Sequence, residues 1–200
     1  MQRFKQYIIE QRGKGLTIFD IDDTMFKSKA KVEVVRNDKV VKILPPKAFN
    51  TYKLAKGETF DFGQFKSAKL FAQTAIPIGK MINKFKAILK NAVAKGSKVV
   101  IITARADMDD KKLFLDTFKA HGIDIDKSHI HRAGNIGGSS AKAKQHFFRK
   151  YLDTGEYKRV RLFDDDKSNL KALLDLKSDY NDVEFFAYLA NEKGSIKRVK

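Results

Sequence analysis

Apolar residues in this sequence occur in two arrangements, short continuous runs and longer stretches with helical spacing. The short runs, rich in β-branched residues, are typical of strands buried on both faces of a parallel sheet. The longer stretches predict amphipathic helices. Strands are predicted at residues 16–19, 99–103, 128–132, 160–163 and 183–189, and helices at 4–12, 78–95, 108–121, 141–152 and 167–176. Because strands and helices alternate, we predict an α/β fold, a doubly wound parallel sheet with right-handed crossovers.

A different pattern separates the first strand from the first long helix. Two β-branched runs within residues 32–44 flank the Asn-Asp pair at 37–38, which predicts a small β-hairpin. Residues 47–76 are rich in aromatic side chains but have no regular period, so we expect an irregular elaboration packed over the sheet edge. The chain is therefore predicted to form a single domain over residues 1–200, with a cap-like insertion at about 26–77.

Acidic residues follow two of the predicted strands. Asp20 and Asp22 come after the first strand, and alternate side chains of an extended chain share one side. Parallel strands end at a common edge, where α/β sheets bind their ligands. The acids that would gather there are Asp20, Asp22, Asp23, Asp164, Asp165 and Asp166. Six carboxylates cannot all stay ionised side by side without a cation, and Mg²⁺ is the simplest one to expect.

Composition and charge exclude some classes of protein and favour others. The chain has no cysteine, which excludes a disulfide framework, a thiolate metal site and a cysteine nucleophile. The formal net charge is +17, so surfaces away from the acidic edge are positive and would attract nucleic acid or nucleotide. The sequence shows neither an apolar leader nor a run long enough to span a membrane, so we expect a cytoplasmic monomer without a membrane partner. The basic tail at 191–200 is expected to fray.

Four groups of residues occur along the chain in an order that points to one family. Asp20-Ile-Asp22-Asp-Thr24 follows one strand, Thr103 ends another, a lysine lies in the helix after a Gly/Ser loop, and Asp164-Asp165 follows a third strand. This order and context resemble the haloacid dehalogenase (HAD) superfamily of phosphotransferases. The resemblance extends from residue 16 to about residue 189, and it implies a Rossmann-like sheet.

The resemblance implies a role for each residue of the first two motifs. Asp20 matches the nucleophile that becomes an aspartyl phosphate, and Asp22 matches the general acid that later acts as a base toward water. Thr24 matches the residue that closes the turn beside the substrate. Thr103 matches the hydroxyl that holds a transferring phosphoryl oxygen. Arg105 either adds positive charge for the substrate or forms a structural salt bridge.

The last two motifs imply a lysine and a metal site. Lys144 shares a helix face with apolar residues three and four positions later, which favours it over Lys142 as the buried lysine. Lys142 stays open as the alternative. Asp164 and Asp165 match the acids that bind metal together with Asp20 and Asp22. Asn169 completes an Asp-Asp-x-x-x-Asn spacing and is expected near the substrate.

The resemblance implies a magnesium-dependent phosphomonoester hydrolase. The motifs are similar to those of polynucleotide 3′-phosphatases and of some acid phosphatases, and the basic charge favours a phosphate on a nucleic-acid end or a nucleotide. Two alternatives stay open. One is a small-metabolite phosphatase, and the other is a catalytically silent member that binds nucleic acid or phospholipid headgroups.

Overall fold

A computed structural model describes residues 13–49, 51–93 and 96–200. Its strands are β1 (Lys14–Phe19), β2 (Phe26–Lys27), β3 (Val32–Arg36), β4 (Lys39–Leu44), β5 (Glu58–Asp61), β6 (Ile76–Pro77), β7 (Lys98–Thr103), β8 (His129–Arg132), β9 (Tyr157–Asp164), β10 (Glu184–Ala190) and β11 (Ile196–Val199). Its helices are α1 (Pro46–Phe49), α2 (Gly63–Lys66), α3 (Ala68–Thr74), α4 (Gly79–Val93), α5 (Lys111–Ala120), α6 (Ser140–Leu152) and α7 (Lys167–Leu174). Short 3₁₀ turns lie at Ile125–Lys127, Ala133–Asn135 and Asp175–Ser178.

The central sheet has six strands in the order β11-β10-β9-β1-β7-β8. Neighbouring strands are parallel except β11, which is antiparallel to β10. Phe19, the last residue of β1, is in register with Ile101 of β7 and with Phe163 of β9. The three central strands therefore end at the same edge. The predicted α/β fold with a mostly parallel sheet is confirmed.

Helices cover both faces of this sheet. On one face Phe19 lies in a core with Phe85 of α4 and Phe114 of α5. On the other face Ile18 lies in a core with Phe148 of α6 and with residues of α7. Consecutive residues of β1 thus face opposite cores, as the alternation of side chains along a strand requires. Burial on both faces explains why β1 is an unbroken apolar run.

The segment between β1 and α4 forms a separate small sheet in the order β4-β3-β5. The predicted hairpin is confirmed, and its turn residues Asn37 and Asp38 have φ of 50° and 58°. Although the sequence over 47–76 has no regular period, this stretch contains β5, α2, α3 and the end of α1. Its aromatic side chains pack in pairs, such as Phe49 and Phe60 at 4.9 Å, and such contacts leave no periodic signal in the sequence.

The ends of the chain and of the helices differ in part from the predictions. The expectation of a frayed tail at 191–200 is wrong, because β11 pairs antiparallel with β10, with Ile196 opposite Ala190 and Val199 opposite Ala187. The predicted helix at 108–121 begins only at Lys111, since Asp110 caps it by accepting a hydrogen bond from the N–H of Leu113 at 2.9 Å. The predicted helix at 4–12 lies outside the described residues.

Among the residues that the structure describes, none of the helices has the length and apolar character that crossing a bilayer requires.

Candidate active site

Asp20 stands at the carboxyl edge of the central sheet, directly after β1. Its backbone N–H donates to the carbonyl of Phe163 at 3.0 Å, which continues the pairing of β1 with β9. This bond fixes the backbone of Asp20 beside the end of β9, whose last residue is Asp164 and which Asp165 follows. Asp20 is buried, so its carboxyl group is removed from most of the surrounding water.

A buried lysine joins the two acidic strand ends. Lys144, in α6, has a side chain only 1% exposed. Its Nζ donates to Oδ1 of Asp20 at 2.6 Å and to Oδ2 of Asp164 at 2.8 Å. Burial alone would lower the pKa of Lys144, but the charges of Asp164 and Asp20 outweigh it and raise that pKa above its ordinary value. Lys142, on the same helix, is exposed.

Three carboxylates lie close enough to share a cation. Asp20, Asp164 and Asp165 each offer an oxygen, and these oxygens lie within 4.8 Å of one another. Burial, together with the charges of Asp164 and Asp165, raises the pKa of Asp20 well above its ordinary value despite the opposing charge of Lys144. The Asp165 residue is exposed as a whole, yet desolvation of its carboxyl and the charge of Asp164 raise its pKa to about 7. Both shifts arise first from burial and then from the neighbouring carboxylates.

The charge of this group can be counted from its contacts. Three carboxylates and one ammonium leave a formal charge of −2 when all are ionised. Asp23 adds further negative charge near Asp165. Carboxylate oxygens at a partly open sheet edge are the donors that Mg²⁺ prefers, and a divalent ion would neutralise this excess. The chemistry of the donor set therefore fits Mg²⁺.

Asp164 is held by the protein through both of its oxygens. Besides Lys144 at Oδ2, its Oδ1 accepts hydrogen bonds from Nδ2 of Asn169 at 3.0 Å and from the N–H of Asp166 at 2.9 Å. Oδ1 of Asn169 accepts in turn from Ser140 Oγ at 3.2 Å. Asn169 is thus buried against the acids, and the contacts of its amide are with protein groups. Asp165 is instead exposed, and its Oδ1 accepts a hydrogen bond from the buried Thr24 Oγ1 at 3.4 Å.

Thr103 ends β7 beside the end of β1, and both Thr103 and Thr24 are fully buried. The hydroxyl of Thr103 accepts the backbone N–H of Arg105 at 3.2 Å, which fixes its orientation. The structure therefore brings residues from the ends of β1, β7 and β9, and from α6, to one edge of the sheet.

Arg105 and Asp22 form a two-point ion pair. Nε of Arg105 donates to Oδ2 of Asp22 at 2.8 Å, and Nη2 donates to Oδ1 at 2.7 Å. The same guanidinium donates to the carbonyl of Phe65 at 2.9 Å and to Ser28 Oγ at 3.2 Å. Asp22 is therefore drawn toward the insertion, and it is not part of the group of three carboxylates. Of the two roles that the sequence left open for Arg105, the structure displays a salt bridge.

Several residues of this neighbourhood gave no signal in the sequence. Ser28 and Phe65 contact Arg105 from the insertion, and Phe65 does so through its backbone carbonyl, for which any residue type would serve. Gly134 donates its N–H to the carbonyl of Arg105 at 3.2 Å. Its glycine identity is the one usable clue, because a Cβ there would lie 2.4 Å from the carbonyl oxygen of Ala104.

Comparison with protein-family models gives no match for this sequence, and comparison with curated proteins gives none either. The case for a function therefore depends on the geometry of the site and on the motif order of the sequence.

Proposed function

We propose that this protein is a magnesium-dependent phosphomonoester hydrolase of the HAD type that works through an aspartyl phosphate on Asp20. The observation that carries this proposal is the placement of Lys144 between Asp20 and Asp164, with Asp165 beside them. A buried lysine that binds two carboxylates neutralises part of their charge but not all of it. The remainder calls for a divalent cation, and a cation next to a carboxylate nucleophile suits the transfer of an anionic phosphoryl group.

Asp20 and Asp165 are the residues best disposed to hold the ion, because both oxygens of Asp164 already accept hydrogen bonds from protein donors. Bound Mg²⁺ would offset the negative charge of the phosphoryl oxygens and so allow the anionic nucleophile to approach phosphorus.

The chain's own groups account for both halves of the reaction. A carboxylate oxygen of Asp20 forms a bond to phosphorus while the bond from phosphorus to the ester oxygen breaks, and Asp22 gives its proton to the departing oxygen. Water then attacks phosphorus, the bond to Asp20 breaks, and Asp22 takes the proton of the water. The products are an alcohol and inorganic phosphate, and both aspartates return to their starting states.

Thr103 and Lys144 are the groups that would hold the transferred phosphoryl in line. A hydroxyl with a fixed orientation and an ammonium within hydrogen-bond distance of the nucleophile are preorganised donors of the kind that stabilise charge on equatorial phosphoryl oxygens. Lys142 is less suited to this role, since it is exposed on the same helix.

The charge distribution favours a phosphate on a nucleic-acid end or on a nucleotide. Residues 26–77 contain eleven basic and four acidic side chains, so the insertion alone contributes +7 of the formal net charge of +17. It is more basic per residue than the rest of the chain, and it contacts the site through Ser28 and Phe65. A positive surface next to an acidic centre attracts polyanions toward it.

The direct test is release of phosphate from p-nitrophenyl phosphate with and without Mg²⁺. We expect hydrolysis with the ion, none in excess chelator, and none for Asp20→Asn. The matched control is Asp110→Asn, because asparagine caps a helix as well as aspartate and Asp110 is an exposed cap of α5 outside the group of three carboxylates.

Hydrolysis that persists in Asp20→Asn or in chelator would refute the proposal. Binding of oligonucleotides or of anionic headgroups without any turnover would favour the silent binding module instead. If the enzyme is active, a comparison of 3′-phosphorylated oligonucleotides, mononucleotides and sugar phosphates separates the nucleic-acid substrate from a small metabolite.

A further inference from the structure

We propose that Arg105 is a positioning residue, which holds Asp22 against the insertion and affects phosphoryl transfer through Asp22 alone. This inference rests on the proposed function, in which Asp22 protonates the leaving oxygen. It differs from both roles that the sequence left open for Arg105, which were charge for the substrate and a structural salt bridge. The observation behind it is the set of four hydrogen bonds that the Arg105 guanidinium makes to three segments of the chain.

Those four bonds occupy four of the five N–H groups of the guanidinium. The group also lies over two aromatic rings, because its Cζ is 5.2 Å from the ring centre of Phe65 and 4.7 Å from that of Phe71. The Arg105 side chain is 1% exposed. A phosphoryl group would have to displace Asp22 or the insertion to reach it, so Arg105 is poorly placed to bind substrate directly.

Asp22 occupies the open side of the pair. Its side chain is 27% exposed, whereas that of Arg105 is almost fully buried. The two parallel N–H bonds from Arg105 fix both the position and the plane of the Asp22 carboxyl. Arg105 thus orients the partly exposed carboxyl of Asp22 from the buried side of the pair.

The insertion also helps to orient the Asp22 carboxyl, through its contacts with Arg105. Nη1 of Arg105 is held by the carbonyl of Phe65 in α2, and Nη2 is shared between Asp22 and Ser28. Any displacement of these segments would move the guanidinium and the carboxyl bound to it. The placement of the insertion over the edge therefore sets the position of the proton donor, while Asp20 is fixed separately by β9 and Lys144.

Because Asp22 and Asp20 are held by different contacts, the effect of replacing Arg105 should depend on the leaving group. An alkoxide is a strong base and departs with a proton, whereas p-nitrophenolate is a weak base and departs without one. The ratio kcat/KM covers the steps up to departure of the leaving group, so it excludes the later attack of water. A residue that acts through the proton donor affects kcat/KM for an alkyl phosphate and largely spares that for p-nitrophenyl phosphate.

The experiment measures kcat/KM of the full chain with Mg²⁺ for glycerol 2-phosphate and for p-nitrophenyl phosphate. For Arg105→Lys, which keeps the charge but loses the fork of N–H groups, we expect a loss of roughly 100-fold for the alkyl ester and less than about 3-fold for the aryl ester. Asp22→Asn should give the same pattern. Adding Arg105→Lys to Asp22→Asn should cause no further loss for the alkyl ester, because the target of Arg105 is then gone.

Two further variants distinguish the proposed effect from a general loss of folding. Ser28→Ala removes one of the four bonds and leaves the ion pair, so it should show the same selective loss at smaller size. Arg132→Lys is the matched control, since Arg132 is also mostly buried, over the ring of Phe114 and near Asp107, and should affect both esters alike.

Equal losses for the two esters in both Arg105→Lys and Ser28→Ala would overturn the inference and favour direct binding of phosphate or a purely structural role. Additive losses in the double variant would overturn it as well. If the wild-type protein hydrolyses neither ester, the proposed function itself fails, and that result is distinct from equal losses in an active enzyme.

Discussion

Replacing Lys144 by methionine tests the charge balance at the centre of the site. The change keeps an unbranched side chain of similar length but removes the ammonium that binds Asp20 and Asp164. All three side chains are nearly inaccessible, at 1%, 6% and 0% exposed. The two carboxylates would lose their cationic partner in a place where water cannot replace it.

The expected cost follows from that burial. Removing one partner of a buried ion pair costs about 3–5 kcal/mol, because the remaining charge stays desolvated. Typical domains unfold with about 5–15 kcal/mol, so the Lys144→Met protein would lose roughly a fifth of its stability or more. The matched control is Lys142→Met, two residues away on the same helix and exposed, which should change the stability by no more than about 0.5 kcal/mol.

Mg²⁺ should restore part of this loss, because the ion replaces the missing positive charge. At a concentration 100 times its dissociation constant, a ligand of the folded state alone adds about 2.7 kcal/mol. We expect the gain on adding Mg²⁺ to be larger for Lys144→Met than for the wild-type protein. Urea unfolding followed by far-ultraviolet circular dichroism is the appropriate assay, since the chain has no tryptophan for fluorescence.

Two results would refute this reasoning. A loss below about 1 kcal/mol in Lys144→Met would mean that Asp20 and Asp164 do not depend on the ammonium. An equal gain in stability from Mg²⁺ in variant and wild type would mean that the ion and Lys144 do not offset the same excess negative charge.

Two further predictions concern stability. Burial, with the charges of His129 and the exposed Lys150 and Lys98, lowers the pKa of His131 from 6.5 to about 4, and its Nε2 lies 2.7 Å from the hydroxyl of Tyr151. Keeping His131 neutral therefore stabilises the fold fully above about pH 6.5, and this contribution is lost as the pH falls toward about 4. Between pH 7 and 5 the wild-type protein should lose about 1 kcal/mol more than His131→Gln in urea unfolding, after allowance for screening of the exposed lysines, and equal losses would contradict the prediction. Gly134→Ala would place a Cβ 2.4 Å and 2.7 Å from the backbone atoms on either side of Arg105, so it should cost about 1–3 kcal/mol and reduce turnover of alkyl esters. Gly79→Ala, which meets nothing within 4 Å, is its control, and equal stability of the two variants would contradict that account.

The sequence was sufficient to predict the central sheet and the meeting of Asp20 with Asp164. Short apolar runs on either side of helical stretches allow few arrangements other than a parallel sheet, and parallel strands end at one edge. Lys144 was favoured over Lys142 because it lies four residues before Phe148, and both side chains are indeed buried. In each case a local pattern was coupled to burial by a simple geometric rule.

The contacts of Arg105 could not be predicted in the same way. Its partners lie 83 residues away at Asp22, 77 at Ser28 and 40 at Phe65, and none of these separations produces a period. The tail was also misjudged. Its basic residues suggested a solvated end, but a turn in which Asn191 accepts the N–H groups of Lys193 and Ser195 returns the chain to the sheet.

The site divides into two charge groups, and this division connects the proposals made above. Asp22 and Arg105 form a pair without net charge, whereas Asp20, Asp164, Asp165 and Lys144 together have a formal charge of −2. The excess negative charge that a divalent ion would offset therefore lies in the second group alone. Asp22, bound by Arg105 and directed toward the insertion, lies outside the group of carboxylates that could hold the ion. A basic insertion that positions the proton donor would make hydrolysis depend on what is esterified to the phosphate.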